Sequence, residues 1–224
     1  MPQKKSTLVL FYIAAVFFIL CVPFFLLTSN IRWAANDLRL YQNGFDKYDV
    51  SRDTGLSAEE LVNISKGLIN YFNSGAVDET MHIFSGKEIA HLRDVRGLIQ
   101  LCYIIQWTTL GYIIIFITTG FVYKRRKFFH LFNTVVAVGN AISILVIAVI
   151  GIAALVDFNW MFLAFHRVFF SNNLWILSGY LPRIYTEGFF SDTAKLIAIA
   201  TLLESILLGG TAGFFILRRR HGVN

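Results

Sequence analysis

The stretch LIQLCYIIQWTTLGYIIIFITTGFV at residues 98–122, stopped by Tyr123-Lys124-Arg125-Arg126-Lys127, decides the fold. It holds no Asp, Glu, Lys or Arg, and it exceeds the roughly 20 apolar residues that a helix needs to cross a bilayer. Three further stretches of the same kind lie at about 7–28, 132–157 and 194–217. With 56% hydrophobic and only 15% charged residues, the chain lies outside the range of soluble domains. These features predict an all-α membrane protein of four spans, in which the second and third run in opposite directions on either side of the basic run.

Charge placement supplies the orientation. Lys4, Lys5, the run 124–127 and the run Arg218-Arg219-Arg220 hold nine basic residues with no acidic residue among them. Residues 29–97 instead carry eight Lys/Arg against ten Asp/Glu. Positive charge at cytoplasmic ends places both termini inside and the segments 29–97 and 158–193 outside. The net charge of +6 is therefore a topology signal, which argues against a nucleic-acid partner. The first apolar stretch is too long for a signal peptide and lacks a small-residue cleavage site, so it reads as a retained span. Cys21 and Cys102 each fall inside a span and read as packing residues, with neither a disulfide nor a metal spacing.

The outer segments carry structure of their own, within what reads as a single integral membrane domain over 1–224. Arg32 to Tyr41 reads as a short amphipathic helix, followed by a turn at Asn43-Gly44. Ser57-Ala-Glu-Glu60 is a capping box, and Leu61, Ile64, Leu68, Ile69 and Phe72 follow it at helical spacing. Residues 74–85 suggest a short hairpin with Thr80–Phe84 as one strand. From Gly86 the helical pattern runs into span two. The aromatic-rich segment 158–193 reads as interfacial or re-entrant, with Ser191-Asp192 capping span four.

Two histidines end at the same membrane face. His91 precedes span two in Glu88-Ile-Ala-His91-Leu-Arg93-Asp94-Val95-Arg96, and His166 follows span three in Phe165-His166-Arg167-Val-Phe-Phe-Ser-Asn172-Asn-Leu-Trp175. Offsets of three place Glu88, His91 and Asp94 on adjoining parts of one helix face, where a carboxylate can fix an imidazole tautomer. The structural alternatives are a polar helix start facing water and a satisfied interfacial histidine. His82 reads as solvated, and His130 and His221 border basic clusters. Glu204, near the middle of span four, is costly there; it is either protonated or bonded to a neighbouring polar group such as Asn140. Gly209-x-x-x-Gly213 matches a close-packing spacing. No H-E-x-x-H, G-x-S-x-G or glycine-rich phosphate loop is present.

The motifs Tyr41-x-x-Gly44-Phe, Thr54-Gly-Leu-Ser57-x-x-Glu60-Leu and Asn70-Tyr71-Phe72, with the two histidine motifs, make the chain resemble the Lit family of bacterial lipoprotein transacylases over nearly its whole length. The resemblance implies transfer of the sn-2 acyl chain of a diacylglyceryl-cysteine lipoprotein to the α-amine of that same cysteine. It implies His91 and His166 as the catalytic acid and base. Glu88, Asp94, Arg93, Arg96, Arg167, Asn172 and Trp175 are the supporting candidates. Nucleophile and ester sit in one molecule, so no enzyme nucleophile, cofactor or metal is required. The partners implied are the lipoprotein amino terminus and membrane lipid. Two other readings stay open: a membrane scaffold, and a metal-dependent hydrolase using His82, His91, Asp94 and His166.

The topology is directly testable. With Cys21 and Cys102 replaced by alanine, a cysteine at Ser74 should react with an impermeant maleimide in intact cells, whereas one at Lys127 should not. The reverse pattern overturns the orientation.

Overall fold

The computed structural model describes residues 2–221 and the side chains from 9 to 219. The side chains of Lys4, Lys5, Arg220 and His221 lie outside the described residues. Nine α-helices account for most of the described chain: α1 (Pro2–Asn36), α2 (Leu38–Lys47), α3 (Val50–Thr54), α4 (Ala58–Ser74), α5 (Gly86–Lys124), α6 (Phe128–Val156), α7 (Phe158–Phe169), α8 (Tyr180–Ile184) and α9 (Glu187–His221). Two 3-10 turns, Glu79–Ile83 and Arg125–Lys127, interrupt them, and the described residues contain no strand. The chain divides into two compact units. One takes residues up to 30, 104–150 and those from 198; the other takes Ile31–Tyr103 and Gly151–Ile197.

The first unit has the inside-out character of a membrane bundle. Leu20, Ile114, Ile115, Leu145, Val149, Leu203 and Leu207 are exposed, as lipid-facing side chains must be when no water is present to drive them inward. The apolar run Gly86–Val156 covers 71 residues, which at about 1.5 Å per residue is more than three times a ~30 Å hydrocarbon core. It is folded back at Arg125–Lys127, where Arg125 adopts a left-handed φ of 48°. Phe128 then returns against Phe121 and Phe116, with ring centroids 4.9 and 5.5 Å away. α1, α5, α6 and α9 are therefore the four membrane-length helices, as the composition predicts.

Polar groups in this unit turn inward. Glu204 Oε2 accepts a 2.8 Å hydrogen bond from Asn30 Nδ2, which also lies 3.1 Å from Thr201 Oγ1. Glu204 is thus partnered by α1 and not by Asn140. Asn140 donates to the Val136 carbonyl and leaves its own buried Oδ1 unpartnered. Only half of the glycine spacing is used: a Cβ at Gly209 would meet Asn140 Cβ at 3.0 Å, whereas Gly213 faces open space.

The second unit has an ordinary hydrophobic core. Leu61, Ile64, Leu68, Tyr71 and Phe72 of α4 pack with Tyr41, Phe45, Met81, Leu92, Ile184, Tyr185 and Phe189. Each such side chain contributes about 1.5–3 kcal/mol when fully buried. The capping box forms as predicted, Ser57 Oγ accepting from Glu60 N while Ser57 N donates to Glu60 Oε2.

Several local expectations are corrected. The helix expected over Arg32–Tyr41 is split at Asp37, whose carboxylate accepts from Arg39 N and caps α2. Asn43-Gly44 lies inside α2 and makes no turn. Gly44 serves close packing there, because a Cβ would come within 2.6 Å of the Phe189 ring. The expected hairpin strand Thr80–Phe84 is part of the 3-10 turn Glu79–Ile83. Asp78 Oδ1 takes both the N–H and the hydroxyl of Thr80, at 2.9 and 2.5 Å, and such local side-chain bonding competes with extended pairing. Span four begins earlier than Ser191-Asp192: α9 starts at Glu187, with Thr186 Oγ1 accepting from Phe189 N. Asp192 instead accepts from Lys47 Nζ and Tyr48 OH, at 2.5 and 2.7 Å.

Candidate active site

Both histidines belong to the second unit, and each is set by local helix chemistry. Ser85 and Glu88 form a second capping box at the start of α5. Ser85 N donates to Glu88 Oε2 at 2.8 Å, and Glu88 N donates to Ser85 Oγ at 3.3 Å. His91 follows one turn later. On the other side, Asp157 caps α7 by accepting from Trp160 N at 2.9 Å. His166 sits in the last turn of α7, where Phe170 N closes the helix on the His166 carbonyl.

The fold brings the two imidazoles to a centroid separation of 6.0 Å with planes 30° apart. Each is 7% exposed. Phe170 lies 5.1 Å from His91 and 5.5 Å from His166, and Phe162 and Trp175 complete the wall at 4.3 and 5.1 Å from His166. The result is a nearly dry, aromatic-lined pair. Burial holds both imidazoles below the usual histidine value of about 6.5. For His91 the neighbouring His166 adds to that effect, and Asp94 opposes it. For His166 the hydrogen bond to Phe162 opposes it. Burial therefore favours the neutral form of both rings at pH 7.

The two are wired differently. His166 Nδ1 lies 2.7 Å from the Phe162 carbonyl oxygen. A carbonyl can only accept, so Nδ1 carries the proton and Nε2 presents a lone pair. His91 Nδ1 is buried with no hydrogen-bond partner. Such an orphan is uncommon in a folded protein.

The supporting residues separate into distinct roles. Glu88, 1% exposed, does not fix the His91 tautomer as its spacing suggests. Its Oε1 reaches across to accept Leu181 N at 2.6 Å. A Cβ on Gly179 would lie 2.5 Å from that carboxylate, so this approach requires glycine. Lys87 Nζ reaches the Ile176 carbonyl at 2.5 Å, and Asn172 Nδ2 donates to Asp94 Oδ2 at 2.9 Å. The 170–181 segment is thereby pinned to α5 at three levels. Arg96 donates to the Tyr71 carbonyl at 2.9 Å, while Arg93 and Arg167 are exposed; none of the three shows a contact with either imidazole. His82 is exposed on the 3-10 turn, and among the described residues no three His, Cys, Asp or Glu side chains gather as a metal cluster. Sequence reasoning missed Lys87 and Gly179. Ser85-x-x-Glu88 is itself a readable capping signal, but nothing in sequence announces the approach of Gly179.

The membrane-length helices define an integral membrane protein, and among the described residues His91 and His166 are its buried histidines. The model of the family "Lipoprotein intramolecular transacylase Lit" matches residues 16–190, and the chain belongs to that family. It is a membrane acyltransferase. The membrane integral transacylase Lit from Bacillus cereus has a solved in meso structure similar to this chain, with a TM-score of 0.81 at 17% identity, covering 95% of this chain and 98% of that one. Structures of the same Bacillus cereus protein with a histidine replaced by arginine or by alanine align with TM-scores of 0.79 and 0.78, again at 17% identity, covering 99% and 98% of this chain and 98% and 99% of theirs. No curated protein sequence matches the chain.

The anchoring of the 170–181 segment gives a prediction. Glu88→Ala strands two backbone N–H groups and should cost about 3 kcal/mol or more, read as a lowered melting temperature in detergent. Gly179→Ala should be destabilising in the same sense. A Glu88→Ala melting temperature equal to that of the parent overturns the anchoring role.

Proposed function

We propose that this chain moves the sn-2 acyl chain of a diacylglyceryl-cysteine lipoprotein to the α-amine of the same cysteine. The product is a lyso-form lipoprotein, made at the outer face of a bacterial cell membrane, with both termini of the enzyme cytoplasmic. The observation that carries this reading is the pair of buried, neutral imidazoles, one with its tautomer fixed and the other with an orphaned nitrogen. An α-ammonium of pKa about 7.7–8.0 loses one proton to a base of modest strength. Nε2 of His166 is that base, because the Phe162 carbonyl stabilises the imidazolium that forms. The freed amine attacks the ester carbonyl within the same molecule, a proximity advantage that removes the need for an enzyme nucleophile. His91 supplies a neutral ring N–H to the tetrahedral oxyanion. Collapse breaks the bond to the glycerol oxygen, and the second nitrogen proton passes to that oxygen. An amide and a free hydroxyl result, with one proton released. The aromatic wall of Phe162, Phe165, Phe170 and Trp175 excludes water that would hydrolyse the ester instead.

The metal-hydrolase reading needs His82, His91, Asp94 and His166 at one centre, and among the described residues His82 is exposed and no such cluster forms.

Mass spectrometry of a lipoprotein amino terminus tests the reading. Parent protein should shift one acyl chain from glycerol to nitrogen with no change in mass. His91→Ala and His166→Ala should each lower the rate by about 10²–10⁴-fold at near-normal expression. A labelled phospholipid added alongside should leave no label on the new amide. Unchanged product from either variant overturns the dyad, and label incorporation makes the reaction intermolecular.

The pH dependence carries a sign. Burial lowers both imidazole pKa values, so the base form survives to lower pH than in a free histidine. The acid limb of kcat/KM should therefore have its midpoint below 6.5. A midpoint above 6.5 would require a stabilised imidazolium and overturns the neutral dyad.

A further inference from the structure

A lipoprotein amino terminus arrives as a cation, and the transfer cannot begin until that cation is held beside the base. Two carboxylates lie within one turn of His91 along α5, and their surroundings differ. Glu88 is buried with both oxygens occupied by backbone N–H groups. Asp94 is half-buried. Its Oδ2 takes one neutral donor, Asn172 Nδ2. Among the described residues Oδ1 has no hydrogen bond and the carboxylate has no ion pair. The nearest arginines in sequence do not neutralise it: Arg93 is exposed and Arg96 is turned to the Tyr71 carbonyl. Asp94 is close enough to His91 for its charge to act on that imidazole. A carboxylate without a cation at the edge of a dry site is poised for a cationic ligand, since charge-assisted hydrogen bonds are the strong ones.

Building on the transacylase reading above, we propose that Asp94, held by Asn172, binds the α-ammonium of the lipoprotein cysteine and so selects lipoproteins whose amino terminus is still free. The contact places the nitrogen beside the histidine pair while it is charged. One proton then leaves to His166, and the neutral amine turns to the ester. Once the amide has formed, the nitrogen carries no charge and Asp94 no longer holds it, which favours release of product. A lipoprotein already acylated on nitrogen offers Asp94 nothing and is refused.

Two non-reactive lipopeptides test this. In both, an ether replaces the sn-2 ester; one keeps the α-ammonium and the other carries hydrogen in its place. With the purified full-length enzyme, the ratio of their inhibition constants reads the contribution of the ammonium alone. The parent enzyme should prefer the ammonium compound by at least about tenfold. Asp94→Asn should bring the ratio near one, and Asp94→Glu should retain most of it. An Asp94→Asn enzyme with the parent's ratio overturns the proposal.

A second measurement uses only the parent enzyme and does not depend on the variants folding. Between pH 7.5 and 9.5 burial keeps the imidazoles predominantly in the neutral form while the ammonium titrates near 7.7–8.0. The preference should therefore decline across that range, and a preference that stays flat to pH 9.5 overturns the proposal. Conversion of an ordinary ester lipopeptide is followed in parallel. If it fails, the transacylase reading falls; if it proceeds while the ratios refuse to move, the Asp94 assignment alone falls.

Discussion

The Glu88 carboxylate is the constraint on which the site depends. Its two oxygens accept one backbone N–H from the start of α5 and one from Leu181, roughly ninety residues onward. A buried carboxylate is unfavourable unless its lone pairs are satisfied by well-aligned donors. Glu88 therefore does more than cap a helix: it enforces the approach of two distant segments, and that approach is possible only because Gly179 has no side chain. His91 rides on one segment, and Phe170 and Trp175, which wall the pair, lie on the stretch leading into the other. Lys87 and Asp94 repeat the tie on either side.

That tether reconciles two demands that pull against each other. Acid–base catalysis wants imidazoles that change protonation readily, whereas an ester reacting with an amine must be shielded from water. Drying the site lowers both histidine pKa values, which keeps them neutral but weakens them as bases. The Phe162 carbonyl partly offsets that effect at His166, and the charge of Asp94 partly offsets it at His91. His91 Nδ1 receives no such hydrogen bond, and its proximity to His166 further disfavours its protonation. Two residues of one type thus acquire different characters from their surroundings. A pair of neutral rings 6.0 Å apart can pass through a singly protonated state without placing two charges side by side.

What could be read from the sequence follows from how locally each feature is determined. The spans depend on uninterrupted apolar length, and the α4 start depends on residues three apart, so both were legible. The histidine pair was legible because opposite span directions bring their ends to one face, although the 6.0 Å meeting was not. Features that depend on contacts distant in sequence escaped. Asn43-Gly44 carries a turn signature, but Phe189 packs against Gly44 and keeps that position helical. Ser191-Asp192 looks like a cap, but Lys47 and Tyr48 claim the aspartate. Glu88 and His91 share a helix face by spacing, yet the donor that decides where the carboxylate points is Leu181 N.

The arginines illustrate the same limit from the chemical side. Proximity in sequence makes Arg93, Arg96 and Arg167 natural partners for an oxyanion, and charge alone would recommend them. A guanidinium beside the pair would, however, neutralise Asp94 and repel the arriving ammonium. The fold instead turns Arg96 to the end of α4 and leaves Arg93 and Arg167 exposed. That leaves the Asp94 carboxylate, with Asn172 as its hydrogen-bond donor, one turn along α5 from His91. In an intramolecular transfer the substrate brings its own nucleophile as a cation, and the negative charge of the oxyanion develops only after that cation has been discharged. A permanent positive group would favour the second event at the expense of the first. On the reading proposed above, a neutral imidazole N–H would stabilise the oxyanion without opposing the ammonium, and arginines turned elsewhere fit that order of charges.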